Sequence, residues 1–102
     1  AIQCMMADMK TKIEASRMLT WKSAAESDSG VRNTESAAHA KRFAADTAME
    51  VSTDAVQIFG GYGYSEEYPV ARLMRAAKVM QIYEGSSQVQ RMIIGREITK
   101  DF

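Results

Sequence analysis

The chain is predicted to be all-α, an antiparallel helical bundle, on three observations. Its one proline is Pro69 and five of its six glycines lie at Gly60 or later, so the first half is nearly free of helix breakers. Apolar residues recur at steps of three and four along most of the length. No segment alternates apolar and polar residues for more than a few positions, which leaves no candidate strand.

The elements follow in order. Ile2, Met5, Met6, Met9 and Ile13 share one helix face, and this helix is predicted to reach about Ala25, stopping before the turn-forming cluster Ser27-Asp28-Ser29-Gly30. The polar link Val31-Arg32 leads to Asn33 or Thr34, either of which suits a helix N-cap. A second long helix carries Ala37, Ala40, Ala44, Ala48, Val51, Ala55 and Ile58, whose small side chains allow a neighbouring helix to approach closely. Gly60-Gly61 ends it, and Gly61 to Glu67 is predicted as a loop. Pro69 suits a first helical turn, where its missing N–H would be unpaired anyway, and a short helix runs from Pro69 to Met80. After a break at Gln81–Ser86, Ser87 to Lys100 reads as the last helix. Residues 1–102 thus read as one helical domain, two long helices followed by a short helix and a C-terminal one.

Composition narrows the function classes. Thirteen basic and thirteen acidic residues cancel, leaving no electrostatic footprint for nucleic acid. No run approaches the ~18 apolar residues of a membrane span. Cys4 is the one cysteine and His39 the one histidine, so an intrachain disulfide and a multi-cysteine or histidine-based metal cluster are excluded. Cys4, Met5, Met6 and Met9 could be pictured as a soft-metal site, but methionines at helical spacing read more simply as core or interface filler, and no metal site is assigned. No initiator methionine, signal pattern or cap precedes Ile2, so the chain reads as a piece of a longer polypeptide.

Two places carry chemistry. Glu84 lies in Gln81-Ile82-Tyr83-Glu84-Gly85-Ser86-Ser87-Gln88, at the break between two helices and before a glycine and two hydroxyl residues that make a good helix start. Flanked by Ile82 and Tyr83, its carboxylate can lose hydration and become a stronger base. The plainer reading is a loop or first-turn glutamate favoured by the helix dipole. Gly60-Gly61 either caps a helix or presents backbone N–H groups to a phosphate.

Three segments, Gln57 to Tyr64, Glu67 to Lys78 and Gln81 to Arg91, resemble the C-terminal signature of acyl-CoA dehydrogenases, flavoenzymes of fatty-acid and amino-acid catabolism. A weaker likeness extends back through Ile13 to Trp21. The resemblance covers essentially the whole chain and implies the four-helix C-terminal bundle of such an enzyme, short of its first helix. It implies that Gln57, Ile58, Phe59, Gly60 and Gly61 contact the adenosine-diphosphate part of an FAD bound mainly by a neighbouring subunit. It further implies that Ser86, Ser87 and Gln88 touch flavin cofactor, that Gly85 lies beside the acyl-CoA, and that Glu84 is the catalytic base of the short- and medium-chain branches, butyryl-CoA dehydrogenase-like. Branches that carry the base on an earlier helix are disfavoured by the glutamate in Tyr83-Glu84-Gly85. Acyl-CoA oxidases can share that run, and Ser86 to Arg91 looks more like the dehydrogenases. Ser86 stands where the family commonly has threonine, which keeps the hydroxyl. Ala76 stands where it commonly has aspartate, which removes a partner for a nearby base.

The expected function is therefore oxidation of a saturated acyl-CoA to the trans-2-enoyl-CoA with FAD. An electron-transfer flavoprotein is the expected electron acceptor and a homotetramer, a dimer of dimers, the expected assembly. The location implied is cytoplasmic in a bacterium and the mitochondrial matrix in a eukaryote. The alternative is a non-catalytic helical oligomerisation module.

Overall fold

The computed structural model describes residues 1–100 and is all-helical over them. Five helices follow one another: α1 (Ile2–Asp28), α2 (Thr34–Phe59), α3 (Gly61–Tyr64), α4 (Pro69–Met80) and α5 (Ser87–Thr99). No helix among the described residues is long and apolar enough to cross a membrane.

Two boundaries and one cap differ from the sequence reading. α1 continues three residues past Ala25, because nothing in Glu26–Asp28 interrupts its hydrogen-bond ladder. It closes only where the N–H groups of Ser29, Gly30 and Val31 turn back to the carbonyls of Ala25, Ser27 and Glu26. The segment after α2 is not wholly a loop, since Gly61–Tyr64 forms a helical turn seated on the end of α2. Asn33 does occupy the N-cap position of α2, but its side chain does not cap. Its amide donates instead to the backbone oxygen and hydroxyl of the buried Ser23, 3.2 Å from each, and so ties the start of α2 to α1.

α2 is the spine: α1, α3, α4 and α5 all pack on it, while the backbones of α4 and α5 stay clear of α1. Small residues make this possible. Ala38, Ala40, Ala45, Ser36 and Thr47 are its buried positions, and only side chains of this size let several helices approach one axis. The predicted alanine face is right in character but broader than drawn, because helices on several sides bury Ala38 and Ala45 as well as Ala40, and Ala37 stays exposed. Val70 and Ala77 complete the buried apolar set from α4. Larger apolar side chains remain outside: Trp21 is 59 % exposed and Met92 73 %.

A charged clasp joins the α1–α2 link to α5. Arg32 makes a two-pronged contact with Glu97, at 2.9 and 2.8 Å, and Lys100 adds a third donor at 2.9 Å. Hydrogen bonds from Lys100 and Arg32 lower the Glu97 carboxyl from its ordinary value of 4.5. A carboxyl lowered on folding contributes stability above its unfolded value, and that contribution disappears as the pH falls through the lowered one. Thermal unfolding followed from pH 7 to pH 3 should therefore show the gap between Glu97→Gln and wild type starting to close only below about pH 4.5, as the pH approaches the lowered value. A constant gap across that range would mean that Glu97 acts through packing, not charge.

Candidate functional site

The link between α4 and α5 is built as a cinched loop. α4 closes with Gln81 N–H donating to Lys78 O, and with the N–H groups of Ile82 and Tyr83 both donating to Val79 O. Glu84 then takes φ 55° and Gly85 φ 87°, two successive left-handed residues that reverse the chain. Glycine accepts such a conformation freely; a glutamate there costs roughly 1–3 kcal/mol and persists only where its surroundings hold it. Ser86 is extended and caps α5, its Oγ accepting from Val89 N–H at 3.2 Å. Ser87 N–H reaches back to Gln81 O at 3.0 Å and shuts the loop.

Three side chains hold it from below. On α2, Lys41 Nζ donates to Met80 O and, at 3.5 Å, to Gly85 O, with the Tyr83 ring centroid 5.6 Å away. Asp46 Oδ1 accepts from Gln81 Nε2 at 2.7 Å and from Ser87 Oγ at 2.8 Å. On α5, the buried Gln90 donates to Gly85 O at 3.2 Å. A Cβ on Gly85 would stand 2.5 Å from Gln90 Nε2 and displace that amide from Gly85 O, so a larger residue here would meet the strain of φ 87° and also loosen this hydrogen bond. Glu84 crowns this loop with its side chain exposed, beside the exposed Ile82 and Tyr83. The expected loss of hydration is thus not supplied by the chain alone; the apolar flanks are present but face outward.

The predicted cofactor residues fall into two groups. Ser87 and Gln88 line a cleft of about 410 Å³ with Asp46, Lys78, Gln81, Ile82 and Arg91. Lys78 and Arg91, scattered in the sequence, come together there, and Lys78 donates to Gln81 Oε1 at 3.1 Å, a partner it finds despite the alanine at position 76. Ser86 adjoins it as the cap of α5. Gln57, Ile58, Phe59, Gly60 and Gly61 lie at the far end of α2, about 16 Å along its axis from Asp46. There Gly60, with φ 65° and ψ −139°, ends the helix with its N–H shared between Val56 O and Gln57 O. No atom stands within 4 Å of where a Cβ would lie on Gly60 or Gly61, so this backbone is open to an approaching group. Tyr68 braces it edge-on against Phe59 and Tyr62, with centroids 6.4 and 5.7 Å away.

Sequence reasoning missed Lys41, Asp46 and Gln90. The signal was faint: Lys41 and Asp46 are charges set into the small-residue run of α2, but no spacing rule links them to a loop roughly 40 positions away. Among the described residues no group of three or more acids, histidines or cysteines could hold a metal, and Cys4 is exposed.

Residues 1–99 match the family model described as the acyl-CoA dehydrogenase C-terminal domain. The chain is 54 % identical over 100 residues to a cyclohexane-1-carbonyl-CoA dehydrogenase of Geobacter metallireducens, covering 98 % of this chain and 26 % of that protein. It is 59 % identical over 95 residues to a short-chain-specific acyl-CoA dehydrogenase of Megasphaera elsdenii, covering 93 % of this chain and 25 % of that protein. Among solved structures, a chain from a study of the electron transferring flavoprotein of Acidaminococcus fermentans superimposes with a TM-score of 0.97 at 56 % identity, over 99 % of this chain and 27 % of that one. The chain thus spans about a quarter of the length of the relatives it matches.

Proposed function

We propose a function that starts from a family membership: the chain belongs to the acyl-CoA dehydrogenase family, and it serves as the C-terminal helical domain of an FAD-dependent enzyme that oxidises an acyl-CoA to the trans-2-enoyl-CoA. The observation that carries this reading is Glu84, held in a left-handed backbone at the tip of a loop tied at both ends, with its carboxylate pointing outward. A carboxylate so placed can take the proton alpha to a thioester once the rest of the enzyme covers Ile82 and Tyr83 and strips its water. That proton is removed together with a hydride from the beta carbon, which needs an acceptor on the opposite face of the substrate.

FAD, when bound, supplies that two-electron acceptor. The residues present fit it. The unobstructed backbone at Gly60-Gly61, flanked by the exposed Gln57 and Phe59, suits a diphosphate or an adenosine edge. Ile58, beside them on the last turn of α2, is half-buried. Gln88 faces outward on the first turn of α5 and lines the cleft, and Ser86 caps that helix next to it. Ser87 is buried with its hydroxyl proton given to Asp46, so what it retains for a cofactor is acceptor capacity. Gly85, next to Glu84, is the residue proposed to lie beside the thioester. The separation along α2, roughly 16 Å or more from Asp46 to the Gln57–Gly61 group, is in keeping with contacts at different parts of a long cofactor, or to two cofactors in an oligomer.

The substrate proposed is a short- or medium-chain acyl-CoA, in keeping with the short-chain-specific relative, and the electron acceptor an electron-transfer flavoprotein. The apolar side chains left outside, Trp21 and Met92 among them, favour burial against further domains or other copies in a dimer of dimers. They also fit the second reading, a helical oligomerisation module.

The test compares two purified forms. Residues 1–102 alone should hold no stoichiometric yellow flavin and show no turnover of butyryl- or octanoyl-CoA, whereas the full-length polypeptide should do both. A full-length protein that binds no FAD would leave the oligomerisation module standing. Turnover by the short chain would overturn the assignment of the main flavin and CoA sites to other parts of the enzyme.

A further inference from the structure

We propose that Lys41 and Asp46 are positioning residues for Glu84, two bridges from α2 that each join the start of the 81–86 loop to its end. The inference rests on the reading of Glu84 as the base. Lys41 grips Met80 O and Gly85 O, and Asp46 grips the side chains of Gln81 and Ser87. The two bridges thus span the same interval, residues 80–87, from one helix and with opposite charge. Met80 O is among the last carbonyls of α4, where a cation is favoured by unpaired acceptors and by the helix dipole. Ser87 lies on the first turn of α5, where an anion is favoured. Each bridge therefore meets the helix end that suits its charge, and the segment between them carries the left-handed Glu84.

This arrangement answers a problem the loop poses. A non-glycine residue at φ 55° relaxes unless its flanks are fixed. The direct bond from Ser87 N–H to Gln81 O fixes the loop's width but not the path of Tyr83-Glu84-Gly85. Lys41 pins that path at Gly85 O and lies against the Tyr83 ring, the residues on either side of Glu84. Gln90 adds a second donor to the same oxygen. A general base displaced by about 1 Å can lose on the order of a hundredfold in rate, so the bridges act on catalysis through geometry, without touching substrate.

The experiment uses the full-length holoenzyme with Lys41→Met, Lys41→Arg, Asp46→Ala and Glu84→Gln, and the double variant Lys41→Met/Glu84→Gln. Lys41→Met should slow single-turnover flavin reduction at saturating acyl-CoA at least tenfold, with KM changed less than threefold and FAD content kept. Lys41→Arg, which retains the charge and donors, should recover most of the rate. Amide hydrogen exchange, read without substrate, should rise in peptides covering residues 81–87 and not in those of α2. The double variant should be no slower than Glu84→Gln alone, because a bridge that works through Glu84 has nothing left to position. A wild-type rate in Lys41→Met, or a further loss in the double variant, would overturn the proposal. If Lys41→Met does not accumulate as holoenzyme, Asp46→Ala is read by the same criteria. Failure of both to fold would mean that these residues hold the fold, and would overturn the positioning role. Failure of the base reading is seen separately, as full activity in Glu84→Gln with the bridges intact.

Discussion

Replacing Glu84 by glutamine in the full-length enzyme should lower substrate-driven flavin reduction by about 10²–10⁴, the range for loss of a general base, while FAD and a non-reacting substrate analogue still bind. Glutamine is nearly isosteric and keeps the hydrogen-bonding capacity of the side chain, but it cannot take up a proton at any useful pH. The left-handed backbone at φ 55° tolerates both residues about equally, so the loop should keep its shape and the loss should be chemical. Within this chain no histidine stands ready to substitute, since His39 sits on α2 beside Glu35, 3.7 Å away, and not at this loop. Glu84→Asp should lose less, because it keeps the carboxylate and withdraws it by one methylene. Stopped-flow bleaching of the flavin by an acyl-CoA measures both variants. A glutamine enzyme as fast as wild type would move the base to a residue outside this chain.

The contrast between Glu84 and its supports explains what was legible in the sequence. Helices are local objects, and α4 could be read to both ends because Pro69 and the break at Gln81 lie within it or next to it. Gly61–Tyr64 was read as loop because glycine and tyrosine carry no helical signal. The turn forms because Gly63 fits against α2, which is a tertiary cause. Glu84 is legible because the residues that frame it, Tyr83, Gly85 and Ser86, are its immediate neighbours in sequence. Lys41 and Asp46 act across roughly 40 residues, and the partners of Lys41, at Met80 and Gly85, are backbone oxygens that every residue possesses. A contact to a carbonyl leaves no mark on the identity of the residue contacted, so no reading of side chains could have found that bridge. Asn33 shows the same limit in miniature: the N-cap position was legible, but the diversion of its amide to Ser23 depends on where α1 lies.

The second large effect is expected at Gly63, the buried glycine of α3. A Cβ there would stand 2.5 Å from Val56 O and 2.8 Å from Phe59 Cβ. The nearest obstacle is α2 backbone, which cannot swing aside as a long side chain can. Gly63→Ala must therefore lift α3 off α2, and overpacking of this kind costs about 1–3 kcal/mol. The strain falls on Gly60 and Gly61, the hinge joining the two helices, and on the Tyr68 ring that braces Phe59 and Tyr62. These are the residues proposed to meet the diphosphate part of FAD, so thermal stability and FAD retention should fall together. Gly95 is the control. It lies within α5, with nothing within 4 Å of an added Cβ, so Gly95→Ala should be neutral or stabilising by up to ~1 kcal/mol through helix propensity. Thermal unfolding and flavin content of the two full-length variants, compared side by side, make the check. If Gly63→Ala matches Gly95→Ala in both, the seat of α3 on α2 is looser than its packing implies, and the fixed backbone at Gly60-Gly61 is not what holds the cofactor.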